Sequence, residues 1–376
     1  MRIVVDARKA SRQNYGIGTY IRRLGETCAR LSPSDDFVFL GKADRVDGKD
    51  VPRDAARITG DNVTWEPNPS ANYSLRELVS IAWQVRDLRG DVFHAPHYVY
   101  PLMLPCPGVV TIHDCIHLRF PQQFPKPGSN LYARMMIRRA VAKSDRVLTV
   151  SEATRADLVE LVNADPSKIE VIPHGCDPYF LETVDDRELS NVAKKYSLDR
   201  PFLLSVANIK PHKNLKRLLE SFGQLRRDYD DLDLVIAGGD FYPELQAACE
   251  SYGVKDRVRQ LGFLKKKDLR ALYNLARIFV FPSLYEGSGL PPLEAMACGT
   301  PVVASSNSAI PEVVGHNGLL VNPYRVDAIT EAIRSLLEDS SFRNKLGAQG
   351  RIRAEEFDWN ESARRVLDVY REVVTS

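Results

Sequence analysis

RIFVFPSLYEGSGLPPLEAMACGTPVVASS, residues 277–306, passes from an apolar segment through a glycine-containing loop and a helical stretch into a second apolar segment. RIFVFPS (277–283) and PVVASS (301–306) read as strands, with PPLEAMACG (291–299) as the helix between them. Pro291 and Pro292 suit a helix start, where a missing amide proton costs nothing. Short apolar runs alternating with helices are the pattern of a parallel sheet covered on both faces.

The same rhythm extends in both directions. Downstream lie GLLVNP (318–323) as strand and VDAITEAIRSLLED (326–339) as helix. Upstream, PFLLSVA (201–207), LDLVIAG (232–238) and VRQLGF (258–263) read as strands, separated by helices over 213–226, 244–253 and 266–276. The first half has strands at 2–7, 91–96, 108–114, 146–151 and 169–175, and helices at 18–31, 74–88, 129–143 and 153–162. A polar, aspartate-rich stretch, 177–198, separates the two series. The expected fold is therefore α/β, two Rossmann-like domains whose parallel sheets face a central cleft, over residues 1–180 and 181–355. A C-terminal helix in 356–376 carries an apolar stripe at Ala363, Val366, Leu367 and Tyr370; periodicity leaves open which domain it joins, a return to the first included.

Composition narrows the function. Across 376 residues, 51 lysines and arginines stand against 49 aspartates and glutamates, a balance that disfavours nucleic acid as the main partner. The six cysteines form no CxxC pair, so neither a zinc site nor a disulfide framework is expected, and a reducing cytoplasm fits. The opening MRIVVDARKA enters a strand pattern without a signal-peptide core, and no window approaches the roughly 20 apolar residues of a spanning helix. Any membrane contact is expected to be peripheral.

Four strand endings carry candidate chemistry, because ligands of open α/β sheets collect at carboxyl strand ends. After strand 2–7, a polar loop leads to Gly16-Ile17-Gly18-Thr19, which reads equally as a plain turn or as an anion loop at a helix start. The third glycine of a dinucleotide fingerprint is missing, which disfavours hydride transfer and a nicotinamide-dependent epimerase. VVTIHDCIH places His113 and Asp114 at a strand end, either as a proton-handling group with its orienting carboxylate or as a pair closing the strand. His94, His97 and His117 lie nearby, but no zinc-enzyme pattern such as HExxH accompanies them. Lys213, just before a helix beginning at Asn214, suits a phosphate; it also suits a solvated loop. Glu286 precedes Gly287-Ser288-Gly289-Leu290, and Glu294 follows in the first turn of the next helix. Two carboxylates flanking free helix amides suit a sugar nucleotide: carboxylates accept hydroxyl protons and amides face the diphosphate. Helix-end charge complementarity is the plainer reading of Glu294 alone.

With DAR…GIGTY at the opening, TIHD…FP, SEAT (151–154), PHG (173–175), PHKN (211–214), LGF (261–263), the two-glutamate segment and PEVVG (311–315) in order, the whole chain resembles the family 4 glycosyltransferases. These are retaining enzymes of GT-B architecture, and the opening is similar to the branch containing many bacterial mannosyltransferases of surface-polysaccharide synthesis. The resemblance implies that Glu286 contacts the transferred sugar and that Glu294 binds the nucleotide ribose. It places Lys213 on the diphosphate and His113 beside the reacting sugar, Gly16 and Gly18 toward phosphates or acceptor, and the backbone of Gly262 and Phe263 around the base. Two departures stand out: Asn208 and His212 occupy neighbourhoods where relatives often carry a second phosphate-binding arginine, and Ser288 stands where relatives often have phenylalanine.

The resemblance further implies a nucleotide-sugar substrate, GDP-mannose first and UDP-glucose or UDP-N-acetylglucosamine next, with no tightly bound cofactor and no metal requirement. The implied acceptor is a glycan or lipid-linked saccharide; a non-catalytic nucleotide-sugar-binding protein is the competing class. Between Arg119 and Arg146 the cations Arg119, Lys126, Arg134, Arg138, Arg139, Lys143 and Arg146 face only Asp145. With Leu131 and Met135 one helix face is partly apolar, so this segment either touches anionic lipid at the cytoplasmic surface or packs on the sheet with solvated arginines.

Overall fold

A computed structural model describes residues 1–10, 15–46, 49–52, 58–70, 74–123, 128–239 and 243–376. Met1–Gly175 together with Asp358–Ser376 forms one unit, and Cys176–Phe357 forms the other.

The first unit holds β1 (Arg2–Asp6), β2 (Asp36–Val46), β3 (Lys49–Pro52), β4 (Val63–Asn68), β5 (Val92–Ala95), β6 (Gly108–Ile112), β7 (Arg146–Thr149) and β8 (Ile169–Val171). The sheet order is β3-β2-β1-β5-β6-β7-β8, with β4 also paired to β2; every pairing is parallel except β2 with β3. Helices α1 (Tyr15–Leu31), α2 (Leu75–Asp87), α3 (Ile116–Arg119), α4 (Ser129–Lys143) and α5 (Glu152–Val162) intervene. Both sheet faces are buried, as β-branched runs in parallel strands require. Ile3, Val5, Phe37, Phe39 and Val92 enter one core, while Val4, Val38, Leu40 and Phe93 enter the core on the opposite face.

The second unit holds β9 (Phe202–Val206), β10 (Asp233–Ala237), β11 (Val258–Gln260), β12 (Ile278–Phe281), β13 (Val302–Ser305) and β14 (Leu319–Val321), all parallel in the order β11-β10-β9-β12-β13-β14. Its helices are α6 (Asp186–Lys195), α7 (Leu215–Leu225), α8 (Pro243–Ser251), α9 (Lys266–Leu275), α10 (Leu290–Ala297), α11 (Ile310–Val314), α12 (Val326–Glu338) and α13 (Ser340–Glu355).

The last helix, α14 (Trp359–Thr375), belongs to the first unit, where Trp359, Ala363, Val366, Leu367 and Tyr370 complete the core beside Ile3 and Val5. Gly175 is required there: a Cβ on it would sit 2.4 Å from the backbone nitrogen of Trp359.

Several elements differ from the sequence expectation. Helix α1 begins at Tyr15, so Gly16 and Gly18 lie in its first turn and not in a preceding loop. Strands β2 to β4 and helix α13 were not anticipated, nor was α6 within the polar stretch 177–198. Helix α6 buries only Val192 and is started by Asp185 accepting from the Arg187 amide, so apolar periodicity has little to report there.

Candidate active site

Both sheets reverse their winding once, between β1 and β5 in the first unit and between β9 and β12 in the second. Loops leaving neighbouring strands at such a point diverge to opposite faces and leave a crevice at the carboxyl edge. In the second unit the loop after β9 carries Lys213 and the loop after β12 carries Glu286, 73 residues on. Their side chains meet, Lys213 Nζ donating to Glu286 Oε1 at 2.5 Å with both groups largely buried. The ammonium also lies 5.3 Å from the Phe281 ring centroid.

The backbone holds this pair rigidly. Leu284 N donates to His212 O at 2.7 Å, joining the two loops. Asn214 takes the left-handed conformation, φ 60°, and its side-chain amide donates to Pro282 O at 3.0 Å and Pro323 O at 2.7 Å. Lys213 therefore ends a tight turn, Pro211–Lys213, and α7 begins only at Leu215, one residue later than expected. Glu286 N donates to Ser308 Oγ at 2.8 Å, and Ser308 is itself held at φ 51°. Sequence reading misses Asn214 and Ser308 as site residues: in PHKN the lysine carries the obvious chemistry, and nothing near 308 marks a positive φ.

Glu294 lies in the second turn of α10, past the first-turn position expected for it, which removes helix-end charge complementarity as its explanation. Tyr273 donates its hydroxyl to Glu294 Oε2 at 2.9 Å. Burial pushes the Glu294 carboxyl up to about 7, opposed by the Tyr273 hydroxyl. Asp177 adds to the rise and Lys266, which donates to Asp177, counters it. Tyr273 and Lys266 sit in the helix KKDLRALYNLA, where periodicity shows only an amphipathic surface.

Neither Gly287 nor Gly289 has a positive φ, and a Cβ on Gly289 would press on Val313 at 3.2 Å. Gly289 thus lets the start of α10 pack against α11, while Ser288 and Leu290 are half-buried beside it. Gly262, at φ 59°, accepts from Gly238 N at 2.6 Å and has open space where a side chain would be; Phe263 beside it is exposed. Gly238 is the glycine that sequence reading missed: at φ 123°, its Cβ would meet Ala207 O at 2.3 Å. His212 is buried and pushed down to about 3 by that burial and then by Lys213 and Lys210, so it is neutral and supplies no second cation for a phosphate.

In the first unit, His113 follows β6 with its Nε2 on Pro96 O at 3.1 Å, and its ring stands edge-on to Tyr20 at 4.7 Å. Burial holds the imidazole down to about 4 despite Asp114 nearby. A carbonyl partner makes Nε2 the protonated nitrogen and leaves Nδ1 as an acceptor. Asp114 does not orient the ring as expected: its Oδ1 accepts the Ile116 amide at 3.0 Å. Gly16 is exposed with open space around its Cα, and Gly18 is buried. The neighbouring histidines have separate duties: His94 Nδ1 meets Tyr370 Oη at 2.6 Å and its Nε2 meets Thr111 Oγ1 at 2.7 Å. Among the described residues no three His, Cys, Asp or Glu side chains gather as a metal set. At the end of β1, buried Arg8 bridges Asp6 at 2.7 Å and Glu77 at 3.0 Å, tying the β1 loop to α2.

Residues 15–180 match the family described as Glycosyltransferase Family 4, and residues 186–353 match Glycosyl transferases group 1. O-antigen chain mannosyltransferase B of Escherichia coli is 32% identical over 297 residues, covering 77% of this chain and 76% of that protein. Serotype-specific mannosyltransferase WbdA of Escherichia coli is 30% identical over 240 residues, 62% of this chain but only 29% of WbdA. Among solved structures, sucrose-phosphate synthase from Thermosynechococcus elongatus superposes with a TM-score of 0.76 at 21% identity, covering 100% of this chain and 99% of that one. Anabaena HepE in complex with UDP and glucose gives 0.76 at 18% identity, over 99% and 100% of the two chains. Two Rossmann-like units built on parallel sheets, both family matches and a relative aligned over most of its length place the chain among the GT-B glycosyltransferases of family 4, related to the bacterial mannosyltransferases.

Proposed function

We propose that the chain is a retaining hexosyltransferase that moves mannose from GDP-mannose onto a hydroxyl of a glycan or lipid-linked saccharide during cell-surface polysaccharide synthesis. The reading places it in the cytoplasm, meeting the acceptor at the membrane surface. The observation that carries it is the Lys213–Glu286 pair at the point where the second sheet reverses, with Glu294 eight residues beyond. Relatives named as mannosyltransferases support the choice of sugar.

In this mechanism a donor diphosphate draws the Lys213 ammonium from Glu286, and the freed carboxylate turns to the sugar hydroxyls. Glu294 accepts the ribose hydroxyls, and the backbone at Gly262 and Phe263 frames the base. The loop Gly287-Ser288-Gly289-Leu290 carries the donor across the start of α10. The bond from the anomeric carbon to the diphosphate breaks, and the acceptor oxygen bonds to that carbon on the same face. The hydroxyl proton passes to the departing diphosphate oxygen. Charge grows on the diphosphate as the bond breaks, so a pre-positioned cation lowers the barrier. His113, neutral near pH 7 and with Nδ1 free to accept, serves as a hydrogen-bond acceptor beside the sugar and not as a cation. Gly16, with open space where a side chain would be, leaves room for the phosphates or the acceptor at the start of α1, and Gly18 lies buried in the same turn.

The test is a transfer and hydrolysis assay with GDP-mannose, UDP-glucose and UDP-N-acetylglucosamine, followed by NMR of the product anomer. Preferred turnover of GDP-mannose with retained configuration is expected. An inverted anomer refutes the mechanism, and preference for a UDP-sugar refutes the donor.

A further inference from the structure

Twelve large apolar side chains are exposed among the described residues, and six of them fall on three neighbouring elements of the first unit: Val79 and Trp83 on α2, Leu102 and Met103 in the loop after β5, and Leu131 and Met135 on α4. Met103 is 82% exposed and Leu131 73%. These elements form one surface. Leu102 N donates to Leu78 O at 2.8 Å, which binds the loop to α2, and Arg139 donates to Tyr100 O at 2.6 Å and Pro101 O at 2.7 Å, which binds it to α4. Beneath them, Leu78, Val99 and Met136 share one buried cluster. Ordered hydrogen bonds thus present a loop whose tip is apolar.

Cations outnumber acids around this surface, exposed Asp87 at the end of α2 being the acid among them. Arg76 and Arg86 are exposed on the same face of α2 as Val79 and Trp83, at the three- and four-residue spacing of a helix, and the Arg86 guanidinium lies 5.9 Å from the Trp83 ring centroid. Arg138 and Lys143 are exposed on α4, a helix without a single acidic residue. None of these four cations makes an ion pair among the described residues.

The footprint therefore differs from the basic segment singled out in the sequence. Arg119 is engaged by Asp157 and Glu160, Arg134 by Leu161 O at 3.2 Å, Arg139 by the two carbonyls, and Arg146 by Glu372 at 3.8 Å. Lys126 lies outside the described residues.

We infer that the α2 face, the 102–103 loop and the α4 face together dock on an anionic lipid bilayer, Trp83, Met103 and Leu131 entering the interface while the flanking arginines and Lys143 meet headgroups. Aromatic and flexible apolar groups ringed by cations suit the headgroup boundary, where stems are buried and charges stay wet. A second copy of the chain is a poor occupant, because a two-fold contact would set this cationic ring against itself. The inference deepens the proposed lipid-linked acceptor and rests on that reading for its purpose, though not for its test.

The experiment is co-sedimentation of the full chain with vesicles of phosphatidylcholine alone or mixed with phosphatidylglycerol, at low and high salt. Binding is expected only to the anionic vesicles, weakened by salt. Met103→Ser and Leu131→Ser should each lower the partition coefficient about tenfold, the effect of roughly two buried methylenes. Arg138→Glu with Lys143→Glu should abolish binding at low salt. The vesicle-induced blue shift of tryptophan emission should disappear in Trp83→Phe. No sedimentation with anionic vesicles at low salt, binding unchanged in the serine variants, or a dimer on gel filtration that those variants dissociate would each overturn the proposal. Donor binding by calorimetry should be unchanged in all these variants, since none lies at the sugar-nucleotide residues. A chain that sediments with vesicles but binds no nucleotide sugar leaves the surface standing and removes the transferase reading.

Discussion

The proposed ribose contact through Glu294 would make donor affinity depend on pH in a window where most carboxylates are silent. Burial raises this carboxyl to about 7, so below that pH it is mostly protonated and loses half of its capacity to accept ribose hydroxyls. If only the carboxylate form binds well, the apparent dissociation constant is about twofold above its alkaline plateau at about pH 7 and about tenfold above it at about pH 6. The Tyr273 hydroxyl, 2.9 Å away, stabilises the ionised form. A charge-assisted bond of about 1.5–3 kcal/mol corresponds to roughly one to two pH units, so Tyr273→Phe should move the midpoint alkaline by that amount. Calorimetry with an intact nucleotide sugar is the appropriate assay, because its diphosphate has no group titrating near neutrality, unlike a free nucleoside diphosphate. Glu294→Gln isolates the effect from Lys9, which burial pushes down to about 7 in the first unit. A flat profile in the wild type, or the same profile in Glu294→Gln, refutes the assignment. Stability runs in the opposite sense: the folded state holds a proton the unfolded chain lacks between 4.5 and about 7, so the contribution is full below that window and is lost as pH rises through it.

Glu286→Ala should abolish transfer while leaving nucleotide diphosphate affinity within severalfold in calorimetry; unchanged turnover would remove the sugar contact. Lys213→Ala should weaken the nucleotide diphosphate roughly ten- to a hundredfold and the nucleoside hardly at all, and equal losses would contradict a phosphate contact. Gly175→Ala forces a Cβ onto the Trp359 backbone and should lower stability to thermal or urea unfolding by about 1–3 kcal/mol, with a wild-type melt arguing that α14 shifts freely. Tyr370→Phe leaves buried His94 Nδ1 without its partner and should cost about 1–3 kcal/mol; an unaltered unfolding curve would mean that the pair contributes nothing.

The alternation that identified the fold is a local property. Runs such as FLLSV and DLVIA are apolar because both faces of a parallel strand are buried, and the helices between them must present one apolar stripe. The same logic explains the omissions. Strand β2 continues from the buried FVFL into GKADRV, and β4 contains Trp65, Glu66 and Pro67, so each mixes strand residues with polar ones at the edge of the sheet. Helix α13, SSFRNKLGAQGRIRAE, carries two glycines that read as breaks, although Gly347 lets the helix approach the Gly299 carbonyl, whose oxygen lies 2.3 Å from where a Cβ would sit.

Candidate site residues were legible wherever their chemistry sat in a contiguous motif: Lys213 in PHKN, Glu286 and Glu294 in the two-glutamate segment, His113 in TIHD. Their partners were not. The salt bridge across 73 residues exists because β12 lies beside β9, a neighbour relation that strand order decides and local pattern does not encode. Tyr273 reaches Glu294 from another helix, Ser308 holds Glu286 from the loop after β13, and Pro96 O, not the adjacent Asp114, takes the His113 ring. Charge shows the same division: seven cations between 119 and 146 can be counted in the sequence, but of the six described only packing engages Arg119, Arg134, Arg139 and Arg146 and leaves Arg138 and Lys143 exposed without a partner charge. Periodicity, composition and motif spacing depend on residues a few places apart and are settled along the chain; pairing, burial and the raised carboxyl of Glu294 depend on which distant segments exclude water together, and arise only when the sheets assemble.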